Sequence, residues 1–108
     1  MSTPTLDIVE GSYGSQNDEA AFFGWLDKIS CVAGYRGRNE DGVNLVRVEL
    51  TTDTPNDADL RDLLALHHRY NRDMTRLARF RTEQNEGWFA NPIMYWHEAV
   101  FGPHAAEV

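Results

Sequence analysis

Along the chain, stretches in which apolar residues alternate with polar ones give way to stretches in which they recur every three or four positions. Thr-Leu-Asp-Ile-Val-Glu at positions 5–10 partly alternates and is stopped by Gly11 and Gly14, which predicts a short strand at a sheet edge. From Asn17 to Ser30, Phe22, Trp25, Leu26 and Ile29 keep helical spacing while Asp18, Glu19, Asp27 and Lys28 take the other faces. An amphipathic helix is predicted there. Ser15 or Asn17 caps it, and Asp18 and Glu19 sit in its first turn, where the helix end carries partial positive charge.

Cys31–Arg38 and Val43–Thr52 flank Asn39-Glu40-Asp41-Gly42, a four-residue connection of turn formers, and together predict a β-hairpin. In the second arm Val46, Val48 and Leu50 fall on one face and Leu45, Arg47, Glu49 and Thr51 on the other, so one face of the sheet is half-polar. Asp53-Thr54-Pro55-Asn56-Asp57 predicts a helix start, with Thr54 as N-cap, Pro55 at the first helical position and Asp57 at the third. Leu60, Leu63, Leu64, His67 and Tyr70 carry that helix to Asn71, a residue that tolerates left-handed backbone. Asp73–Arg81 predicts another turn or two, with Met74, Leu77 and either Ala78 or Phe80 inward, before Glu86-Gly87 interrupts. Asn91-Pro92 repeats the capping logic, and Ile93, Trp96, Val100 with Met94, His97, Phe101 predict a short helix closed by Gly102-Pro103. The order is β-α-β-β-α-α-α. It predicts an α+β fold, a small and mostly antiparallel three-stranded sheet with helices packed on one face.

A length of 108 residues and 42% hydrophobic content suit one domain over 1–108, with an ordered core at about 5–102. Seventeen acidic against ten basic residues leave a net charge of -7. The excess is unevenly placed: residues 1–62 hold twelve acids and five bases, and residues 63–108 hold five of each. Such a balance disfavours nucleic acid as a partner, because phosphate backbones are repelled unless positive charge is segregated. Cys31 is the only cysteine, which excludes an intrachain disulfide. With no positively charged leader and no long apolar run, the chain suits a reducing cytoplasm without a membrane span.

Candidate chemistry is sparse. Arg69, Arg72, Arg76 and Arg79 are spaced 3, 4 and 3, which aligns four guanidinium groups on one face if the helix runs unbroken, an anion or RNA contact stripe. His67, His68 and His97 could serve a small metal-dependent enzyme. Adjacent residues on a helix diverge by about 100°, however, so the first two cannot chelate one ion, and no metal or cofactor is expected. No calcium loop, phosphate loop, nucleophile elbow or dinucleotide fingerprint is present, and nothing local activates Cys31. The tail holds Trp88-Phe89, Tyr95-Trp96-His97 and Phe101. Aromatics this dense close a core or anchor a partner, and since Tyr95 and Trp96 point to different sides of a short helix, Tyr95 is the interface candidate. Glu40, Asp41, Asp53 and Asp57 are the acidic candidates for the same partner surface.

Trp25-Leu-Asp-Lys-Ile-Ser-Cys-Val32, Asp59-Leu-Arg-Asp-Leu-Leu-Ala-Leu66 with Tyr70, and Trp88-Phe89 followed by Tyr95-Trp96-His97 and Phe101-Gly102 resemble a group of small uncharacterised bacterial cytosolic proteins. Some acidic proteins of this kind are immunity proteins, which neutralise a cognate toxin by masking its active site. The resemblance implies no functional residues. It implies a non-enzymatic, protein-binding, immunity-type inhibitor of a basic toxin partner, to which an acidic inhibitor is steered.

Overall fold

The computed structural model describes residues 3–102. Strand β1 (Thr5–Val9) leads into helix α1 (Gln16–Lys28), then strands β2 (Val32–Glu40) and β3 (Val43–Leu50), and helix α2 (Asp57–Arg69). A 3-10 helix (Thr75–Phe80) and two short helices, α3 (Glu86–Phe89) and α4 (His97–Phe101), complete it. The three strands form one antiparallel sheet in the order β1-β3-β2. This is the α+β arrangement predicted, with one short helix more.

The period-two pattern decides which face of the sheet is covered. Leu6, Ile8, Val46, Val48 and Leu50 point toward the helices and join Phe22, Leu26, Leu60, Leu63, Leu64, Phe80 and Phe89 in one buried core. The opposite face carries Asp7, Arg47 and Glu49, with Arg36 and Arg38 of β2 beside them. Across it Arg47 clamps Asp7 through two hydrogen bonds of 2.8 Å and reaches Glu40 at 3.0 Å, joining all three strands. The bidentate bond to Arg47 holds the Asp7 carboxyl below its ordinary range and raises the pKa of Arg47 in turn.

Helix α1 begins as its sequence asks. Ser15 Oγ accepts from the Asp18 amide, and the Asp18 carboxylate accepts from the Gly14 amide. The hairpin is tighter than expected: β2 runs on to Glu40, which pairs with Val43, so the connection is the two residues Asp41 and Gly42. Both have positive φ, 54° and 84°, the backbone of the turn whose twist matches that of paired strands.

The start of α2 departs from expectation. The N-cap is Asn56, not Thr54: its Oδ1 accepts from the Asp59 amide at 2.8 Å, and Asp57 is the first helical residue. Thr54 instead donates its amide to Thr52 Oγ1, and Pro55 is buried ahead of the cap. Asn is the stronger cap of the two, and Pro55, a residue favoured at the first helical position, is what pointed to Thr54 instead. Asn56→Ala is expected to lower stability by about 1 kcal/mol and Thr54→Ala by less than about 0.5 kcal/mol, measured by urea unfolding. Asp59, in the first turn of α2, accepts from the amide and hydroxyl of Ser30 and ties the chain after α1 to the start of α2.

At its other end α2 stops in a double closure. The Arg72 amide bonds the His67 carbonyl and the Asn71 amide bonds the His68 carbonyl, with Asn71 at φ 55°. Past it, Met74, Leu77 and Phe80 turn inward, and Phe80 rather than Ala78 takes the third inward place. Glu86-Gly87 does not interrupt but opens α3. Buried Asn85 bonds the Phe80 carbonyl and the Thr82 amide, fixing a turn from which α3 carries Phe89 into the core. The last helix is shorter than predicted, because Asn91 Oδ1 accepts from the Ile93 amide and holds 91–96 in turns. Pro103, expected to close it, lies outside the described residues.

Candidate functional site

The residues expected to meet a partner occupy separate parts of the fold. Glu40 and Asp41 sit at the hairpin tip, and Glu40 is engaged by Arg47 and lies 3.4 Å from Arg38. Asp53 and Asp57 follow the opposite end of β3. The seven strand steps from Val43 to Leu50, at about 3.3 Å each, span about 23 Å between the hairpin tip and the end of β3 that leads to Asp53 and Asp57. They form no compact cluster.

Tyr95 lies elsewhere again, with its ring 4.5 Å from that of His68 near the end of α2. It is 57% exposed, while its neighbour Trp96 is 6% exposed and donates its indole N–H to the Phe89 carbonyl at 2.7 Å. Ile93, expected within the last helix, lies ahead of it and is 83% exposed. The loop carrying Ile93 and Tyr95 is braced by Asn91, by the Met94 and His97 amides, and by Trp96 beneath it. Asn91-Pro92, expected to start the helix, instead makes a turn in which Asn91 Oδ1 accepts from the Ile93 amide, and the helix begins only at His97.

The arginine row does not survive folding. Helix α2 ends at Arg69, and the left-handed step at Asn71 sends the chain off in a new direction. Arg72 is 7% exposed, donates to the Tyr70 and Ser12 carbonyls, and lies over the rings of Tyr13 and Phe22. Arg79 donates to the Thr5 carbonyl at the start of β1, and Arg76 lies where its charge helps hold the Asp7 carboxyl down.

The histidines also part. His67 is buried with Nδ1 2.7 Å from the Leu63 carbonyl, so Nδ1 carries the proton that is donated. His68 is exposed against Tyr95, and His97 lies on α4 beside Phe101. Among the described residues no group of three or more His, Cys, Asp or Glu is arranged to hold a metal ion, and no helix is long and apolar enough to cross a membrane. Burial and the nearby Asp59 push the Cys31 thiol up to about 11.

Burial also pushes the His67 pKa below its ordinary 6.5, against the opposing pull of Asp73. Below pH 6.5 the unfolded chain therefore takes up a proton that the folded chain refuses. Stability is expected to decline as pH falls from about 6.5 toward 5, by at most about 1.4 kcal/mol per unit. Asp7 and Asp73, whose pKa values are lowered, contribute in a separate window, present above 3.8 and lost as pH falls through their folded values. Urea midpoints of the wild type and of His67→Gln separate the two: the variant should be flat from pH 7 to 5, and an unchanged slope there would assign the decline to another group.

No known protein family, curated protein or solved structure matches the chain.

Proposed function

We propose that this protein is a non-enzymatic protein-binding domain, an immunity-type inhibitor that seats Tyr95 and Ile93 in a basic partner. One observation carries the reading: two of the large apolar side chains most exposed to solvent, at 83% and 57%, share one short braced loop. A rigid exposed aromatic binds without the entropy cost of being ordered, which is how interface anchors gain their strength. The net charge of -7 supplies the other half of the argument. Spread over the hairpin tip, the approach to α2 and the helix surfaces, it steers a cationic partner and raises the association rate at low salt.

The experiment is co-expression with the product of the neighbouring gene, followed by size-exclusion chromatography and binding measurements. A 1:1 complex is expected, with Tyr95→Ala weakening it about 30-fold or more and association slowing as salt is raised. A complex indifferent to Tyr95 and Ile93 would remove the anchor from this loop. Unrelated neighbours and no complex would remove the inhibitor reading altogether.

A further inference from the structure

The two free edges of the sheet differ. At β1 the neighbouring 3-10 helix sends the Arg79 guanidinium to the Thr5 carbonyl. Strand β2 is longer, nine residues, and pairs on one side only, with β3. Apart from that pairing, no hydrogen bond reaches the main chain of positions 33–40 among the described residues. A strand edge in this state offers a row of N–H and C=O groups to any extended segment that can lie beside it.

Side chains on the two faces define what such a segment must carry. Away from the helices, Arg36 and Arg38 stand at alternate positions with side chains 66% and 45% exposed, and their ion pairs to Glu49 and Glu40 are loose, at 3.7 and 3.4 Å. On the helix side, Tyr35 stacks on Phe23 of α1 with ring centroids 5.2 Å apart, and both rings are only partly buried. They form an apolar ledge along the same edge. Gly37 leaves open space where a side chain would stand.

We propose that the β2 edge is a docking site for an extended segment of another protein in which carboxylates alternate with apolar side chains. Added as a fourth strand, that segment sets its carboxylates opposite Arg36 and Arg38 and its apolar residues on the Tyr35–Phe23 ledge. A second copy of this chain is the poorer occupant. Antiparallel pairing of two β2 strands in full overlap sets Arg36 against its own mate, and a shift by one pair of residues sets Arg36 against Arg38; like charges directly opposite destabilise a sheet. The site stands apart from the Tyr95 loop and does not depend on it.

The test is a titration of the isotope-labelled 108-residue chain with the synthetic peptide Thr-Glu-Val-Glu-Val-Glu-Thr, followed by amide shifts and hydrogen exchange. Two control peptides replace every Glu by Lys, or methylate alternate backbone nitrogens. Shifts and slowed exchange confined to positions 33–40 are expected at about 1 mM acidic peptide, and neither control should produce them. Arg36→Glu combined with Arg38→Glu should weaken binding about tenfold, the protein remaining folded by circular dichroism because both side chains are exposed. The proposal is overturned if the acidic peptide produces no shifts, if they lie elsewhere, or if either control binds as well. It is also overturned if the β2 amides are already protected in a dimer at high protein concentration, which assigns the edge to a second copy.

Discussion

Arg72→Ala is expected to lower stability by about 3 kcal/mol, and Gly11→Ala by about 2 kcal/mol, while the double variant costs little more than Arg72→Ala alone. The Arg72 side chain pins the loop after β1 to the end of α2. Its guanidinium donates to the Tyr70 carbonyl at 2.7 Å and to the Ser12 carbonyl at 3.3 Å, and its centre lies 4.9 Å from the Tyr13 ring. Among the described residues no carboxylate forms an ion pair with it, and its Nε is buried without a hydrogen-bond partner. The charge is held instead by carbonyl dipoles, by ring faces and by the negative end of α2. Truncation orphans two carbonyls and opens a cavity under two aromatic rings. Arg72→Met keeps the volume and should cost less than alanine, and Arg72→Lys recovers at most part of the loss, since a point charge cannot span both carbonyls. Gly11 is coupled to this group because a Cβ there would stand 2.5 Å from Arg72 Nη1. With the side chain locked on both carbonyls, the clash displaces the clamp, and with the side chain removed it has nothing to displace. Urea unfolding of the two single variants and the double closes the cycle, and additive losses would show that Gly11 and Arg72 do not act as a unit.

That clamp marks the limit of what the chain discloses before folding. The features set by local chemistry were readable: Ser15 as a cap, Asn71 as a left-handed stop, and the alternation of Val46, Val48 and Leu50 against Arg47 and Glu49. Each depends on neighbours a few residues away. The arginine row looked like a surface because spacing describes one helix. Whether Arg72 stays on that helix is decided by Asn71 and by a pocket formed from Gly11, Tyr13 and Phe22, from 50 to 61 positions earlier. Similarly, the bond from Ser30 to Asp59 that ties the start of α2 to the chain after α1 is a contact across 29 residues that local spacing does not disclose. The split between Tyr95 and Trp96 could be read from their adjacency, because neighbours on any turn diverge. Exposure of Ile93 could not be read from periodicity, since the Asn91 side chain ends the period before it begins. The open β2 edge carried no signal in its own residues beyond two arginines at alternate positions. An edge is defined by what fails to pair with it, and that is a property of the whole sheet.

Trp96→Ala is expected to have the largest effect of any change in the tail, about 4 kcal/mol of stability, in a domain whose total is of order 10 kcal/mol. The indole is buried, meets Trp88 edge-on at 6.0 Å and Tyr95 at 5.0 Å, and spends its one donor on the Phe89 carbonyl. It therefore joins α3 to the loop before α4 by packing and by a buried hydrogen bond at once. Trp96→Phe separates the two contributions. It keeps most of the packing but orphans the Phe89 carbonyl, and should cost about 1.5 to 2 kcal/mol. Tyr95→Ala, one residue away, should change stability by less than about 1 kcal/mol, because more than half of that side chain is already in water. Adjacent positions thus divide the work of the loop: Trp96 holds it on the core, and Tyr95 is what it presents. Thermal and urea unfolding of the three variants measure the division directly. If Tyr95→Ala proved as destabilising as Trp96→Phe, Tyr95 would belong to the core through His68, and the anchor would have to be sought at Ile93 alone.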